Sequence, residues 1–239
     1  MKIIEQSITL YDPPAYTDML CKIETAARNC YQSSSIGKSE EFIKRLIKRG
    51  HESPLEHCSL TFKITTDRAV LAELSRHRIL SLQVESQRYV KYDEVIFIKP
   101  VWLTEEGQAW NIFKVSCQEA EQNYLNLIKI CNKKPQEARI VLTNATKCDI
   151  ICTTNIREWR YIFKLRTTPE NNPQFREIML DGLNKVKEMY PVFFNDIGCG
   201  EVEQVVSLTG CNPVVSGCGG SIPPLSTKLW QGSLRASRH

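Results

Sequence analysis

The chain has 239 residues, which is enough for a hydrophobic core that needs neither disulfides nor a metal ion. Hydrophobic residues make up 42% and charged residues 24%, as in ordinary soluble globular proteins. A net charge of +4 is too small by itself to indicate a nucleic-acid partner, although it suits anionic small ligands.

In chain order, periodicity and turn signals predict strand 2–10, helix 16–31, helix 39–49, a short helix from 53, strand 58–65, helix 68–78, loop 79–92, strand 95–99, helix 104–133, helix 135–143, strand 148–154, helix 156–166 and a last helix from 173. Ser39, Asp67 and Asn155 are the predicted N-caps, and Gly50 is a predicted helix stop. Ser53-Pro54-Leu55-Glu56 has the form of a capping box.

Strands and helices intermingle without an internal repeat, which predicts a single α+β domain over residues 1–197. Residues 198–239 hold seven of the eleven glycines and show little periodicity. We interpret them as a glycine-rich, mobile tail. The N-terminus has no sustained apolar segment, and no run of about 18 apolar residues follows. We therefore expect no export signal, no membrane span and a cytoplasmic location, in the host cytoplasm if a phage encodes the chain.

The ten cysteines do not have the pattern of a disulfide scaffold. Seven of them lie mostly in apolar stretches, which favours reduced, buried thiols: Cys21, Cys30, Cys58, Cys117, Cys131, Cys148 and Cys152. No CxxC pair occurs and only four histidines are present, so we expect no metal site. Cys199, Cys211 and Cys218 are interpreted as loose tail thiols rather than a zinc knuckle.

The densest polar cluster covers residues 76–89, at a predicted helix end and in the segment after it. Three arginines, two serines and a histidine occur within these fourteen residues. Arginine forks bind phosphate in a bidentate manner, and serine hydroxyls with loop N–H groups complete an oxyanion cradle. A solvated basic helix end explains the same composition equally well.

Three further stretches favour a binding role: residues 50–57, Arg139 and the helix 155–166. That helix has an apolar stripe of Trp159, Ile162 and Phe163. Its cations are Arg157, Arg160 and Lys164 on the other face and Arg166 at the end. A core stripe opposite a solvated face accounts for Trp159 and Lys164. It explains less well why arginines recur in separate segments of a chain with so little net charge.

These segments together resemble a known family. Arg76-His77-Arg78 followed after seven residues by Ser86 is similar to the signature of the flavin-dependent thymidylate synthases. Other matching segments occur in the family's order and spacing: Ala26-Ala27-Arg28, Gly50-His51-Glu52, Arg88-Tyr89, Arg139-Ile-Val-Leu and residues 155–166. The resemblance covers roughly residues 1–197, and several collinear segments are far more specific than a three-residue motif.

The resemblance implies an α+β domain with mixed helices around a small antiparallel sheet, assembled as a homotetramer whose active sites are shared between subunits. It implies conversion of dUMP to dTMP, with 5,10-methylenetetrahydrofolate as carbon donor and NADPH-reduced FAD as hydride source. No nucleic acid, membrane or metal is expected to take part.

Site residues follow from the same resemblance. The expected FAD contacts are His51, Ser53, Glu56, Arg76, His77, Arg78, Val84, Asn155, Arg157 and Tyr161. The expected nucleotide contacts are Glu73, Arg76, Glu85, Ser86, Gln87, Arg88, Arg139 and Arg166. Arg166 and Ser86 are the candidate catalytic residues. A guanidinium facing the pyrimidine stabilises negative charge over N3 and O4 and makes C5 more nucleophilic. Ser86 is favoured as a phosphate or substrate-edge ligand over a nucleophile, because no base is visibly paired with it.

Several positions depart from well-known members of the family. Val84 stands where some carry a glutamate, Gln83 replaces an asparagine, Glu73 a glutamine, Tyr161 a flavin-binding asparagine and Cys30 a serine. A degenerate member that only binds ligand therefore stays open as an alternative. A second alternative is a nucleic-acid-binding module, but the small basic excess and the few interleaved aromatic residues disfavour it.

Overall fold

A four-stranded antiparallel sheet forms the centre of the computed structural model, which describes residues 1–30, 32–35 and 37–198. The strands are β1 (Lys2–Ile4), β2 (Ser7–Leu10), β3 (Ser59–Asp67), β4 (Ser81–Val84), β5 (Ile96–Ile98) and β6 (Lys147–Asn155). The sheet order is β2-β3-β6-β4, and β1 and β5 form a separate parallel pair. From residue 199 onward the predicted tail, with its three cysteines, lies outside the described residues.

The helices cover the sheet and fill the connections. They are α1 (Tyr16–Asn29), α2 (Ser39–Lys48), α3 (Arg68–Leu74), α4 (Gly107–Lys129), α5 (Pro135–Ala138), α6 (Ile156–Arg166), α7 (Pro173–Met189) and α8 (Pro191–Phe194), with short 3-10 helices at Ser53–His57 and Arg139–Val141. Two predicted N-caps are confirmed, because Asp67 accepts from the Val70 N–H at 2.7 Å and Asn155 from the Glu158 N–H at 2.8 Å. Across the described residues, no helix has both the length and the apolar character to cross a bilayer.

Some local predictions were wrong, and each has a structural reason. Residues 2–10 form two strands that pair in different sheets, β1 with β5 and β2 with β3. Residues 79–92 are not all loop, because β4 pairs with β6 and its apolar side chains pack against the core. Ser39 is the first residue of α2 and not its cap, since its hydroxyl donates to Glu24. The segment from Ser53 is a 3-10 helix without a side-chain cap.

The main core lies between the sheet and α6 with α7. Alternate residues of β3 and β6 are buried on this face, and the apolar stripe of α6 is buried against them as predicted. Trp159 packs edge-on to Phe62 and donates its indole N–H to the Leu60 carbonyl at 2.9 Å. This packing fixes how α6 is rotated, and with it where the polar side chains of α6 point.

A second, smaller core lies under α4. It joins Cys117, Ala120, Tyr124 and Ile128 of α4 to Val95 and Phe97 near β5 and to Ala138. The seven described cysteines are all free thiols, as predicted. Their expected burial holds for Cys58, Cys117, Cys148 and Cys152 and is wrong for the exposed Cys21, Cys30 and Cys131.

Arg160 is the exception on the polar side of α6, because it is only 1% exposed. Its guanidinium donates to both carboxylate oxygens of Asp196 at 2.6 Å, to Glu52 at 3.0 Å and to the Phe193 carbonyl. Burial alone would raise the pKa of Asp196, but the hydrogen bonds and charge of Arg160 outweigh it and lower that pKa. The cluster ties the segment before the first 3-10 helix, α6 and the chain after α8 together.

Replacement of Arg160 by methionine tests this tie. We expect Arg160→Met to lower the free energy of unfolding by about 3 kcal/mol, because two carboxylates lose their cation and the buried Phe193 carbonyl loses its donor. Urea denaturation measures the change. Lys164→Met, at an exposed position of the same helix, is the control and should stay within about 0.5 kcal/mol of wild type. Equal stability of the two variants would contradict the assignment.

Candidate functional site

A buried histidine lies at the centre of the candidate site. His77 follows the end of α3, is 6% exposed and accepts at Nε2 from the Nε–H of Arg166 at 3.0 Å. Burial, and then the charge of Arg166, lower the pKa of His77 to about 4. The ring is therefore neutral at physiological pH and carries its proton on Nδ1, which lies 3.9 Å from a carboxylate oxygen of Glu158.

Arg166 is held from several directions at the C-terminal end of α6. Besides His77, its guanidinium donates to Asn171 at 3.2 Å and lies 3.7 Å from a carboxylate oxygen of Glu73. The guanidinium carbon lies 5.0 Å from the centroid of the Phe175 ring. The cation is thus oriented by groups of its own chain, which is the condition for stabilising charge in a transition state without reorganisation.

Three of the residues expected to contact FAD line one cleft. His51, Ser53 and Arg157 surround a space of about 330 Å³ together with Ala27 and Cys30. Glu56 also belongs here, because its carboxylate pairs with the exposed guanidinium of Arg157. The Asn155 side chain is occupied as the N-cap of α6.

Tyr161 and Val84, two positions that depart from the family, are also accounted for. Tyr161 is half-exposed, and its ring lies edge-on to His77 with 6.2 Å between centroids. Val84 packs its apolar side chain against the main core, so only its backbone could hydrogen-bond to a ligand.

The residues expected to contact the nucleotide begin at the end of β4. Ser86 starts a turn in which its hydroxyl accepts from the Arg88 N–H at 3.3 Å, and Gln87 is half-buried in the same turn. The Glu85 carboxylate is already occupied, by Lys147 and the Tyr92 hydroxyl, both at 2.8 Å. Glu73 accepts from the Asn172 amide at 2.7 Å and lies beside Arg166.

Four arginines of the predicted site are exposed and unpaired. Within residues 1–30, 32–35 and 37–198, no hydrogen bond or ion pair engages the guanidinium groups of Arg76, Arg78, Arg88 and Arg139. Arg88 only lies over its neighbour Tyr89, with 5.5 Å from the guanidinium carbon to the ring centroid. These cations are therefore available to an anionic ligand.

Strand register separates the predicted residues within one chain. Ser81 pairs with Thr153, near the start of α6, whereas Val84 pairs with Ile150 towards the other end of β6. His77 and Arg166 thus lie at the first end of β4, and Ser86 and Arg88 lie beyond its second end. The four residues of β4, about 13 Å in length, lie between the two groups along the chain. Within one chain the predicted site therefore falls into three groups. They are His77 with Arg166 (the His77 centre), the cleft lined by His51, Ser53 and Arg157 (the Arg157 cleft), and residues 86–88 (the Ser86 turn).

Sequence reasoning missed several contributors to the site. Asn171 and Phe175 contact Arg166, Glu158 faces His77, and Lys147 with Tyr92 engages Glu85. Glu158 had a usable signal, because it directly follows Arg157 on the predicted site helix. Lys147 lies 62 positions from Glu85. Asn171 and Phe175 lie near Arg166 in the sequence, and Tyr92 near Glu85, but each lies beyond a turn or loop whose path the sequence does not give, so only the fold shows these contacts.

The fold and these side chains define an α+β protein that presents several exposed, unpaired arginines among its described residues. The family profile described as "Thymidylate synthase complementing protein" matches residues 15–192. A probable flavin-dependent thymidylate synthase of Mycobacterium phage D29 is 35% identical over 191 residues, which cover 73% of this chain and 81% of that protein. The flavin-dependent thymidylate synthase of Geobacter sulfurreducens is 33% identical over 190 residues, which cover 74% and 82%.

A solved structure supports the fold independently. The UMP/dUMP methylase PolB from Streptomyces cacaoi, bound with 5-Br dUMP, superimposes with a TM-score of 0.67 at 20% sequence identity. The match covers 82% of this chain and 96% of that chain, which confirms the α+β architecture with its small antiparallel sheet. The chain belongs to the thymidylate synthase complementing protein family, that of the flavin-dependent thymidylate synthases.

The depressed pKa of His77 predicts a specific acid sensitivity. Between about pH 7 and 5.5 the unfolded chain takes up a proton on this histidine, whose ordinary pKa is about 6.5, while the folded chain does not. Over this interval we expect wild type to lose about 1 kcal/mol of unfolding free energy relative to His77→Gln. Urea denaturation at both pH values measures it. His57→Gln, at an exposed histidine, should follow wild type, and identical pH slopes for wild type and His77→Gln would refute the prediction.

Proposed function

We propose that this chain converts dUMP to dTMP, with FAD as cofactor, 5,10-methylenetetrahydrofolate as carbon donor and NADPH as reductant. The family membership supports the reaction class. The observation that carries the proposal is Arg166, a cation oriented by a neutral histidine of the family signature. The UMP/dUMP methylase with the same fold holds a brominated dUMP, which supports the choice of substrate.

FAD suits the donors of the Arg157 cleft. Arg157, His51 and Ser53 present a guanidinium, an imidazole and a hydroxyl on one cleft, which are groups that bind the phosphates of a dinucleotide. When bound, FAD supplies the hydride chemistry that side chains cannot provide. The Arg76-His77-Arg78 segment adjoins α6 through the His77–Arg166 hydrogen bond and carries two exposed cations that we also assign to FAD.

Arg166 is assigned to the pyrimidine. Uracil C5 attacks an electrophilic carbon only as negative charge develops over N3 and O4, and a fixed guanidinium at that edge stabilises this charge. Neutral His77 is important here, because it accepts a hydrogen bond from Arg166 without adding a second positive charge. The same hydrogen bond orients the guanidinium before the substrate arrives.

The phosphate of dUMP is assigned to Ser86, Gln87 and Arg88, together with Arg76 and Arg139. A phosphate held at one end of the substrate turns binding energy into orientation of the base. Two nearby carboxylates do not oppose this binding, because Glu73 lies beside Arg166 and Glu85 is paired with Lys147. Ser86 is a ligand in this scheme and not a nucleophile.

We also propose a homotetramer with active sites shared between subunits, in the cytoplasm of the cell or of a phage host. The support is the separation of the Ser86 turn from the His77 centre by the length of β4. A second subunit that places its own Ser86 and Arg88 opposite Arg166 would complete a site that one chain leaves divided. Light scattering on the purified protein should give about four times the 27.4 kDa chain mass. A monomer that is active at all concentrations would refute shared sites.

The activity assay decides between this function and its rivals. Purified protein should carry a flavin spectrum and oxidise NADPH to completion only when both dUMP and methylenetetrahydrofolate are present, with dTMP as the product. Colourless protein with salt-sensitive DNA affinity would favour the nucleic-acid-binding alternative. Flavin and dUMP binding without dTMP formation would favour a degenerate family member.

Removal of the Arg166 guanidinium separates cofactor binding from turnover. We expect Arg166→Ala to retain FAD and to lower kcat by about two to three orders of magnitude, because one preorganised donor to the developing charge is lost. Lys164→Ala, one half-turn earlier on an exposed face of α6, is the matched control and should keep wild-type kcat. Wild-type turnover in Arg166→Ala would remove the assigned role.

A further inference from the structure

The turn that carries Ser86 and Arg88 is anchored strongly at its first end. At Glu85, the backbone N–H donates to the Asp149 carbonyl at 2.9 Å and the backbone carbonyl accepts from Arg68 at 3.0 Å. The Glu85 carboxylate accepts from Lys147 and from the Tyr92 hydroxyl, each at 2.8 Å. Glu85 is therefore attached to β6, to α3 and to a residue seven positions further along its own chain.

Tyr92 anchors the second end. Its backbone N–H donates to the hydroxyl of Tyr124 at 3.2 Å, and the two rings lie 5.7 Å apart. Tyr124 is 1% exposed and belongs to the second core under α4. Burial, and then the neighbouring Glu85, raise the pKa of Tyr92, so its hydroxyl keeps its proton as a donor at working pH.

Between these two anchors the chain makes few contacts. The Ser86 carbonyl accepts from the N–H groups of Tyr89 and Val90, and these bonds lie within the turn itself. Arg88 is exposed and the Tyr89 side chain is 79% exposed, so packing does not position them. The hydrogen bonds that tie this turn to the rest of the protein therefore lie at its two ends.

We propose that the Glu85–Tyr92 hydrogen bond closes this loop and thereby positions Ser86 and Arg88 for the phosphate of a nucleoside monophosphate. Glu85 and Tyr92 are positioning residues in this scheme, and the Glu85 carboxylate acts on its own chain and not on the substrate. The inference rests on the proposed function, because Ser86 and Arg88 are there assigned to dUMP. A loop closed in advance loses less conformational freedom when the ligand binds.

The test is Tyr92→Phe, which removes the hydroxyl and keeps the ring against Tyr124. We expect KM for dUMP to rise about fivefold, which corresponds to one net hydrogen bond. The kcat at saturating dUMP should not change, and the melting temperature should fall by only a few degrees. Glu85→Leu should raise KM to a similar extent. Glu85→Gln keeps an acceptor for Tyr92 and should stay near the wild-type KM. Tyr11→Phe, at an exposed tyrosine of the connection after β2, is the matched control.

The double variant sharpens the test. Glu85→Leu combined with Tyr92→Phe should raise KM no more than the stronger single variant, because both changes remove the same bond. A wild-type KM in Tyr92→Phe would overturn the proposal, as would a fall in kcat with KM unchanged. Glu85→Gln as impaired as Glu85→Leu would also overturn it, because the effect would then depend on the carboxylate charge and not on the hydrogen bond from Tyr92. Wild-type protein that neither binds dUMP nor makes dTMP would overturn the proposed function as well, which separates the two failures.

Discussion

The seating of α6 on the sheet is the constraint on which the candidate site depends. Trp159 and Phe163 are buried against β3, and the backbone N–H of Ile156 continues the ladder by donating to the Cys58 carbonyl at 2.9 Å. Once this apolar stripe is fixed, the helical period determines where every polar residue of α6 points. Arg157 enters the cleft beside the first 3-10 helix, and Arg166 meets His77 at the far end.

Most carboxylates of the candidate site lie beside a cation of the same chain. Glu56 pairs with Arg157 and Glu85 with Lys147, whereas Glu158 faces the neutral His77. The exposed arginines of the signature and of the Ser86 turn have no such partner among the described residues. The modest net charge of the whole chain therefore hides a local excess of positive charge, which is what an anionic ligand experiences.

Features that depend on neighbouring residues could be predicted from the sequence. Asp67 and Asn155 cap helices because an N-cap bonds only two or three residues ahead, and the stripe of α6 needs only the helical period. The burial of Arg160 could not be predicted, because its partners Glu52 and Asp196 lie 108 and 36 positions away. Strand β4 was not predicted because it contributes only Leu82 and Val84 to the core, between the exposed polar residues Ser81 and Gln83. Its partner strand β6 lies about 70 positions further along the chain.

The nine-residue ladder between β3 and β6 has a consequence for how the protein is made. Ser59 pairs with Asn155 and Asp67 with Lys147, so about 80 residues must be translated after β3 before its central partner exists. Until then β3 has only the short β2 beside it, and a two-stranded ribbon is marginally stable at best in water. The sheet, and the helix α6 that follows β6 directly, therefore assemble late during translation. During this interval the unpaired edge of β3 is exposed, and chaperones that bind nascent chains can cover it.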